Sequence, residues 1–240
     1  WAGNLTMHLE WTGLIADGAG PGLRAGLLGV AATIAVIGGR VAPAFTRNAM
    51  TRAGVETGLP ATPVWLDRLG IGTAILLPLL VLAGAPDGAL AAVALACGAA
   101  QAGRLAGWRT RWTLRQPILW SLHLGFAMLG AGYLVLGLGW AGVTSEIAGL
   151  HLLGIGAVGG MTLAVMSRAS LGHTGRPLVA PRATAVAYGL IAAAALVRVA
   201  GSTLALDWYT LSVFASGALW ITAFGLFVAD FWALLTAPRG

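Results

Sequence analysis

Apolar residues run through this chain in blocks of about twenty, the length that carries an α-helix across the hydrocarbon core of a bilayer. Eight blocks are predicted as spans: Trp1–Ala16, Leu23–Ala42, Pro63–Ala83, Ala89–Ala106, Pro117–Leu138, Ile147–Ser167, Ala183–Ala200 and Trp208–Leu235. The charges fall between them, and they alternate. Arg40, Arg47, Arg52 and Arg68 lie between the second and third blocks, and Arg104, Arg109, Arg111 and Arg115 between the fourth and fifth. Arg168, Arg176 and Arg182 separate the sixth from the seventh, and Arg239 follows the eighth. The other connections, near Asp17, Asp87, Glu146 and Asp207, hold almost no positive charge, with Arg198 as the exception. This alternation supports the block count, and the positive-inside rule places the Arg-rich connections and the C-terminus in the cytoplasm. The fold expected is all-α: a polytopic transmembrane bundle of about eight helices, a single domain over residues 1–240.

Composition strengthens that expectation. Hydrophobic residues make up 58% of the 240 positions and charged residues only 9%, with a mean hydropathy of +0.84. A soluble domain carries about a quarter charged residues, so a soluble globular fold is excluded. The net charge of +6 comes from arginine with no lysine. Its confinement to short connections is the membrane pattern and speaks against a nucleic-acid partner. Cys97 stands alone, so no disulfide forms within the chain, and it reads as a small buried residue. The first block lacks a basic leader and an A-x-A site, so it does not read as a signal peptide. The chain is instead expected to begin partway through a helix of a longer protein. Small-xxx-small pairs at Gly22/Gly26, Gly103/Gly107 and Gly156/Gly160 predict close helix packing or room for a flat cofactor. Tryptophans at block ends, among them Trp65, Trp108, Trp112 and Trp140, read as interfacial anchors.

Ionisable side chains at membrane depth are costly and mark function by default. His8, His123 and His151 fall within predicted spans and His173 in an Arg-rich connection; neutral imidazole binds iron, copper and zinc. At 1.5 Å per residue, His8 sits roughly 13 Å from the outer end of its block and His151 about one turn inside its own. These two could share an outer-leaflet site, whereas His123 and His151 are too far apart for one metal atom. Small residues along the stripe of His123 (Ala127, Gly130, Ala131) and Gly154 beside His151 leave room for a haem ring. Met7, Met128, Met161 and Met166 are soft donors for copper or simple gap-fillers. Glu10 is the carboxylate clearly inside a span, a proton-relay group or an arginine's partner; Asp230 reads as interface charge. No Walker A, CxxC or HExxH motif is present.

Three longer strings are more specific. GGRVAPAFTRNA begins at Gly38, RLAGWRTRWTLRQPILWSLHLGFAMLGAGY at Arg104, and HLLGIGAVGGMTLAVMSRASLGHTGRPL at His151. Arginines among small residues can bind anionic groups such as haem propionates. In these strings, from about His8 to Arg198, the chain resembles the NnrS family of haem- and copper-containing membrane proteins. The resemblance implies about twelve helices in the full-length protein, of which this chain would be the C-terminal two-thirds, lacking N-terminal helices with a His-Glu motif. It also implies a bacterial inner-membrane location and a link to denitrification and nitric oxide tolerance. The family's motif histidines fall on His123, His151 and His173, with His8 matched through shorter surrounding sequence. Its motif arginines and asparagine fall on Arg40, Arg47, Asn48, Arg104, Arg168 and Arg176.

The function expected is a haem- and copper-binding membrane protein of the nitric oxide response, with the bilayer and nitric oxide as partners and the redox partner left open. A nitric oxide-consuming or quinol-linked oxidoreductase is one alternative. A metal or nitrogen-oxide transporter is another, hinted at by Gly29, Gly38 and Gly39.

Overall fold

The computed structural model describes residues 1–204 and 206–236, so Arg239 and the C-terminal end of the chain lie outside the described residues. Helices appear where the apolar blocks predict them: α1 (Ala2–Trp11), α2 (Ala19–Arg52), α3 (Val64–Leu82), α4 (Asp87–Ala106) and the single turn α5 (Thr110–Thr113). They continue with α6 (Pro117–Trp140), α7 (Glu146–His173), α8 (Arg182–Thr203) and α9 (Tyr209–Thr236). No strand forms among the described residues. Seven of these helices, α2, α3, α4 and α6 to α9, are long and apolar enough to cross a membrane. The first expected block, Trp1–Ala16, instead makes a ten-residue helix, α1, that packs along the start of α2.

Local chemistry sets the boundaries. Proline opens several helices, at Pro63 before α3, Pro86 before α4, Pro117 as the first residue of α6 and Pro181 before α8. There its missing N–H is no loss, because the first turn has no acceptor for it. Glycine closes them. Gly84 and Gly142 take φ of 68° and 75° just past α3 and α6, a left-handed conformation that ends the helix and returns N–H groups to its last carbonyls. Carboxylates satisfy other exposed N–H groups. Glu10 accepts the Ala19 N–H at the start of α2, and Asp230 accepts the N–H (2.8 Å) and hydroxyl (2.6 Å) of Thr184 at the start of α8. Among the described residues neither carboxylate pairs with an arginine. Each sits at the positive end of a helix dipole.

Glycine also governs how closely helices approach. A Cβ on Gly149 of α7 would lie 2.5 Å from the Leu136 backbone of α6, and one on Gly132 would lie 2.7 Å from the Leu153 side chain. The predicted pairs behave unequally. Gly22 meets the Gly3 backbone, Gly107 the Ala61 carbonyl and Gly156 the Met128 side chain, whereas Gly26 faces open space. Two clusters of buried side chains result. One joins α2, α3, α4, α6 and α7 around Leu28, Leu77, Phe126, Leu129 and Tyr133. The other joins α6 to α9 around Leu119, Leu163, Tyr188, Phe227 and Phe231.

The two ends of the bundle differ as the charge pattern predicts. At one end the connection after α2 lies against the connection after α4: the Ala61 N–H donates to the Gly107 carbonyl (3.1 Å), and Trp108 Nε1 donates to Thr62 (2.8 Å). That end carries most of the arginines. At the other end Arg24 pairs with Glu146, tying α2 to α7, and Arg198 donates to the Tyr209 hydroxyl (2.9 Å). Arg24 therefore joins Arg198 as a second cation at the otherwise acidic end, neutralised by its own partner.

Two helices depart from α geometry. In α2 the segment Ile34–Gly38, and in α7 the segment Leu152–Gly159, are π-helical. Such segments are rare and are concentrated at functional sites.

Candidate functional site

Arg104 lies at the centre of the bundle with no exposed side-chain surface. Its Nη1 donates to the Ala35 carbonyl (2.8 Å) and to Gln101 Oε1 (2.7 Å). Ala35 belongs to the π segment of α2, whose wider turns leave carbonyls short of helical partners, so the guanidinium and the distorted backbone satisfy each other. Arg104 Nη2 lies 2.7 Å from Asp67 Oδ1 of α3, close enough for an ion pair but off the axis of a hydrogen bond, and Nε has no partner. Phe126 and Trp108 stack around the group, with ring centroids 5.4 and 5.9 Å from its central carbon. Any side chain at Gly39 would collide with the guanidinium. Gly39 therefore belongs to this hub rather than to a helix break.

His123 completes the hub. It is buried, edge-on to Trp108, with Nε2 2.8 Å from Thr46 Oγ1 and Nδ1 2.9 Å from Thr110 Oγ1. The Thr46 hydroxyl donates to the Ala42 carbonyl (3.0 Å). It must then accept from Nε2–H, which leaves Nδ1 to accept from Thr110. Both ring nitrogens are engaged, so neither is open to a metal in this arrangement.

A different region has open donors. The facing surfaces of α2 and α7 leave a cleft in two connected parts that share Val41 and Val165. The inner part, about 460 Å³, is largely apolar and lies between the π segment of α2, with Ile34, Ile37 and Gly38, and the stretch of α7 from Val158 to Met166. The second part, about 420 Å³, opens at the arginine-rich end between Phe45, Arg168, Gly172, His173 and Leu178. The Arg168 guanidinium sits 3.7 Å from the Phe45 ring centroid, a cation–π contact that holds its charge at the mouth. His173, the last residue of α7, is exposed there. Thus two strings that carry the family resemblance, one on α2 and one on α7, face each other across this cleft.

The remaining expected site residues are dispersed. His8 is exposed on α1 with its ring 5.2 Å from Trp11. His151 immediately precedes the π segment of α7, and its Nδ1 is buried without a hydrogen-bond partner. Arg47 donates to the Pro60 carbonyl (2.6 Å), while Arg40, Asn48 and Arg176 are exposed. Met128 fills a gap beside Gly156, and Met161 one beside Gly38 and Gly125. Cys97 is buried and unpaired, as expected. No group of three or more His, Cys, Asp or Glu side chains able to hold a metal ion occurs among the described residues. The α2/α7 cleft was not marked in the sequence. Its signal was the density of small residues in both strings, which periodicity alone does not tie to each other.

Seven apolar helices, short connections and one arginine-rich end define a multi-pass helical membrane protein. The chain belongs to the NnrS family: the family model described as "NnrS protein" matches residues 1–239. No curated protein and no solved structure matches the chain.

Proposed function

We propose that this protein binds haem in the cleft between α2 and α7 and acts in the bacterial response to nitric oxide, from the inner membrane, with its arginine-rich end in the cytoplasm. The observation that carries the reading is the donor set of the cleft. Its inner part is largely apolar and walled by the π segment of α2 and by Val158 to Met166 of α7, which suits the face of a macrocycle. Its mouth holds one imidazole, His173, and one fixed cation, Arg168. An imidazole is a common axial ligand of haem, and a guanidinium pairs with carboxylates such as the propionates through a planar fork. Met161 and Met166 line the inner part and would meet the ring as apolar, polarisable contacts. Bound there, the iron would supply a site for nitric oxide, itself small, apolar and soluble in lipid.

This chain's residues then act by positioning. The Phe45 ring orients Arg168, and Gly38 leaves room for the Met161 terminus, which a Cβ would approach to 2.7 Å. His123 supports the site at a distance by joining α2 to α6. For copper, no set of three nitrogen, carboxylate or thiolate donors is assembled among the described residues, and its inclusion rests on the family resemblance. A transporter reading is less favoured, because α2 and α7 run continuously through their π segments with no unwound backbone at mid-depth.

The test is an optical spectrum of the purified protein, reduced, before and after nitric oxide. Wild type is expected to show a haem band that shifts on adding the gas. His173→Ala is expected to lose the band while His123→Ala, if folded, retains it. Haem retained at wild-type level in His173→Ala would overturn the assignment of the cleft.

A further inference from the structure

A groove of about 690 Å³ lies elsewhere, between α4 and α6. Its floor is made of small residues from both helices, Ala102 and Ala106 on α4 and Ala127, Gly130 and Ala131 on α6. It offers no imidazole, thiol or thioether to a metal, so it does not suit a ligated haem, although Ala127, Gly130 and Ala131 are the stripe that sequence alone would give to one. At the arginine-rich end the groove finishes at Arg109 and Arg111. Both are exposed, and neither forms an ion pair among the described residues, where the pairs are Arg24–Glu146 and Arg104–Asp67. Arg109 takes φ of 61° at the start of α5, and its guanidinium lies near Gly58 of the neighbouring connection.

We propose that this groove is a binding site for an anionic phospholipid. One acyl chain lies along the Ala/Gly floor and the phosphate bridges Arg109 and Arg111. The dimensions agree: from Phe126 to Leu134 the α6 side of the floor runs about 12 Å at 1.5 Å per residue, below a headgroup held at the interface. The charges agree as well. Two unneutralised arginines at the end of a lipid-facing trough recognise a phosphate with net negative charge better than a zwitterion, and basic pockets between membrane helices bind such headgroups. The site is separate from the α2/α7 cleft, so it stands whether or not haem binds there.

The experiment reconstitutes the full-length protein in nanodiscs of phosphatidylcholine doped with phosphatidylglycerol, then counts retained lipids by native mass spectrometry. Wild type is expected to retain phosphatidylglycerol selectively. The double variant R109Q/R111Q is expected to bind it about thirty-fold more weakly, taking both arginines as interfacial charges. A127L/A131L keeps both cations but fills the floor, and is expected to lose retention as well. A thermal melt of each variant, unchanged from wild type, certifies that the fold survives. Equal retention of phosphatidylcholine would overturn the proposal. So would undiminished phosphatidylglycerol in R109Q/R111Q, a quinone or haem found in place of the lipid, or a dimer that covers the groove.

Discussion

The hub around Arg104 and the cleft between α2 and α7 use the same residue types and treat them in opposite ways. In the hub, both nitrogens of His123 meet threonine hydroxyls, and Arg104 meets a carbonyl, an amide and a carboxylate. In the cleft, Arg168 rests on an aromatic face and His173 is exposed, so both keep hydrogen-bonding capacity for something else. A buried polar group that finds all its partners within the protein stabilises the fold. One that does not is available to a ligand. Motif membership alone does not separate the two, because His123 and His173 both fall on motif positions.

This contrast can be broken by substitution. The largest stability effect is expected for Arg104→Met, which leaves the Ala35 carbonyl and Gln101 without their donor and Asp67 without its cation. About 3 kcal/mol should be lost, less than for a fully buried pair because Asp67 is partly exposed. Thermal or denaturant unfolding in detergent measures it, and a loss below 1 kcal/mol would show the hub to be incidental. His123→Leu is expected to cost about 2 kcal/mol by orphaning two hydroxyls while leaving haem per folded molecule unchanged. Thr46→Val removes one of those contacts and keeps shape, so about 1 kcal/mol is expected. At the other extreme, His173→Ala should change stability by no more than about 0.5 kcal/mol, as for an exposed residue, yet abolish haem retention. If both histidine variants behaved alike in both assays, the distinction between hub and cleft would be lost.

Most of the architecture was legible in the sequence, since a span of about twenty apolar residues has few alternatives and arginine reports its end. The short α1 departs from that rule because Thr12 and Gly13 stop it after ten residues, Gly13 taking a left-handed φ of 73°. The site was legible only in part. Arg104 and His123 could be named as special, but the partners Ala35, Thr46 and Thr110 that engage them arrive from other elements. Arg168 and Phe45 are 123 positions apart in the chain, and no local pattern joins them. Gly38 and Gly39 of α2 fit two readings, a break or a notch, and only the neighbouring Met161 and Arg104 side chains decide for the notch.

The π segment in α2 has a consequence for the whole helix. Accommodating one additional residue in a turn shifts the phase of everything that follows by about 100° relative to an uninterrupted α-helix. Thr46 therefore faces His123, and Phe45 faces Arg168, only because the helix changes phase near Ala35. Forcing the same length of chain into uninterrupted α geometry would turn the two sites away together, although each lies a turn or more downstream, whereas losing one residue there would relax the segment to α and leave both in place. A one-residue deletion within Ile34–Gly38 should thus keep Thr46 on His123 and Phe45 on Arg168, whereas same-length changes that drive the segment into α geometry should disable hub and cleft together, read by thermal stability and haem retention.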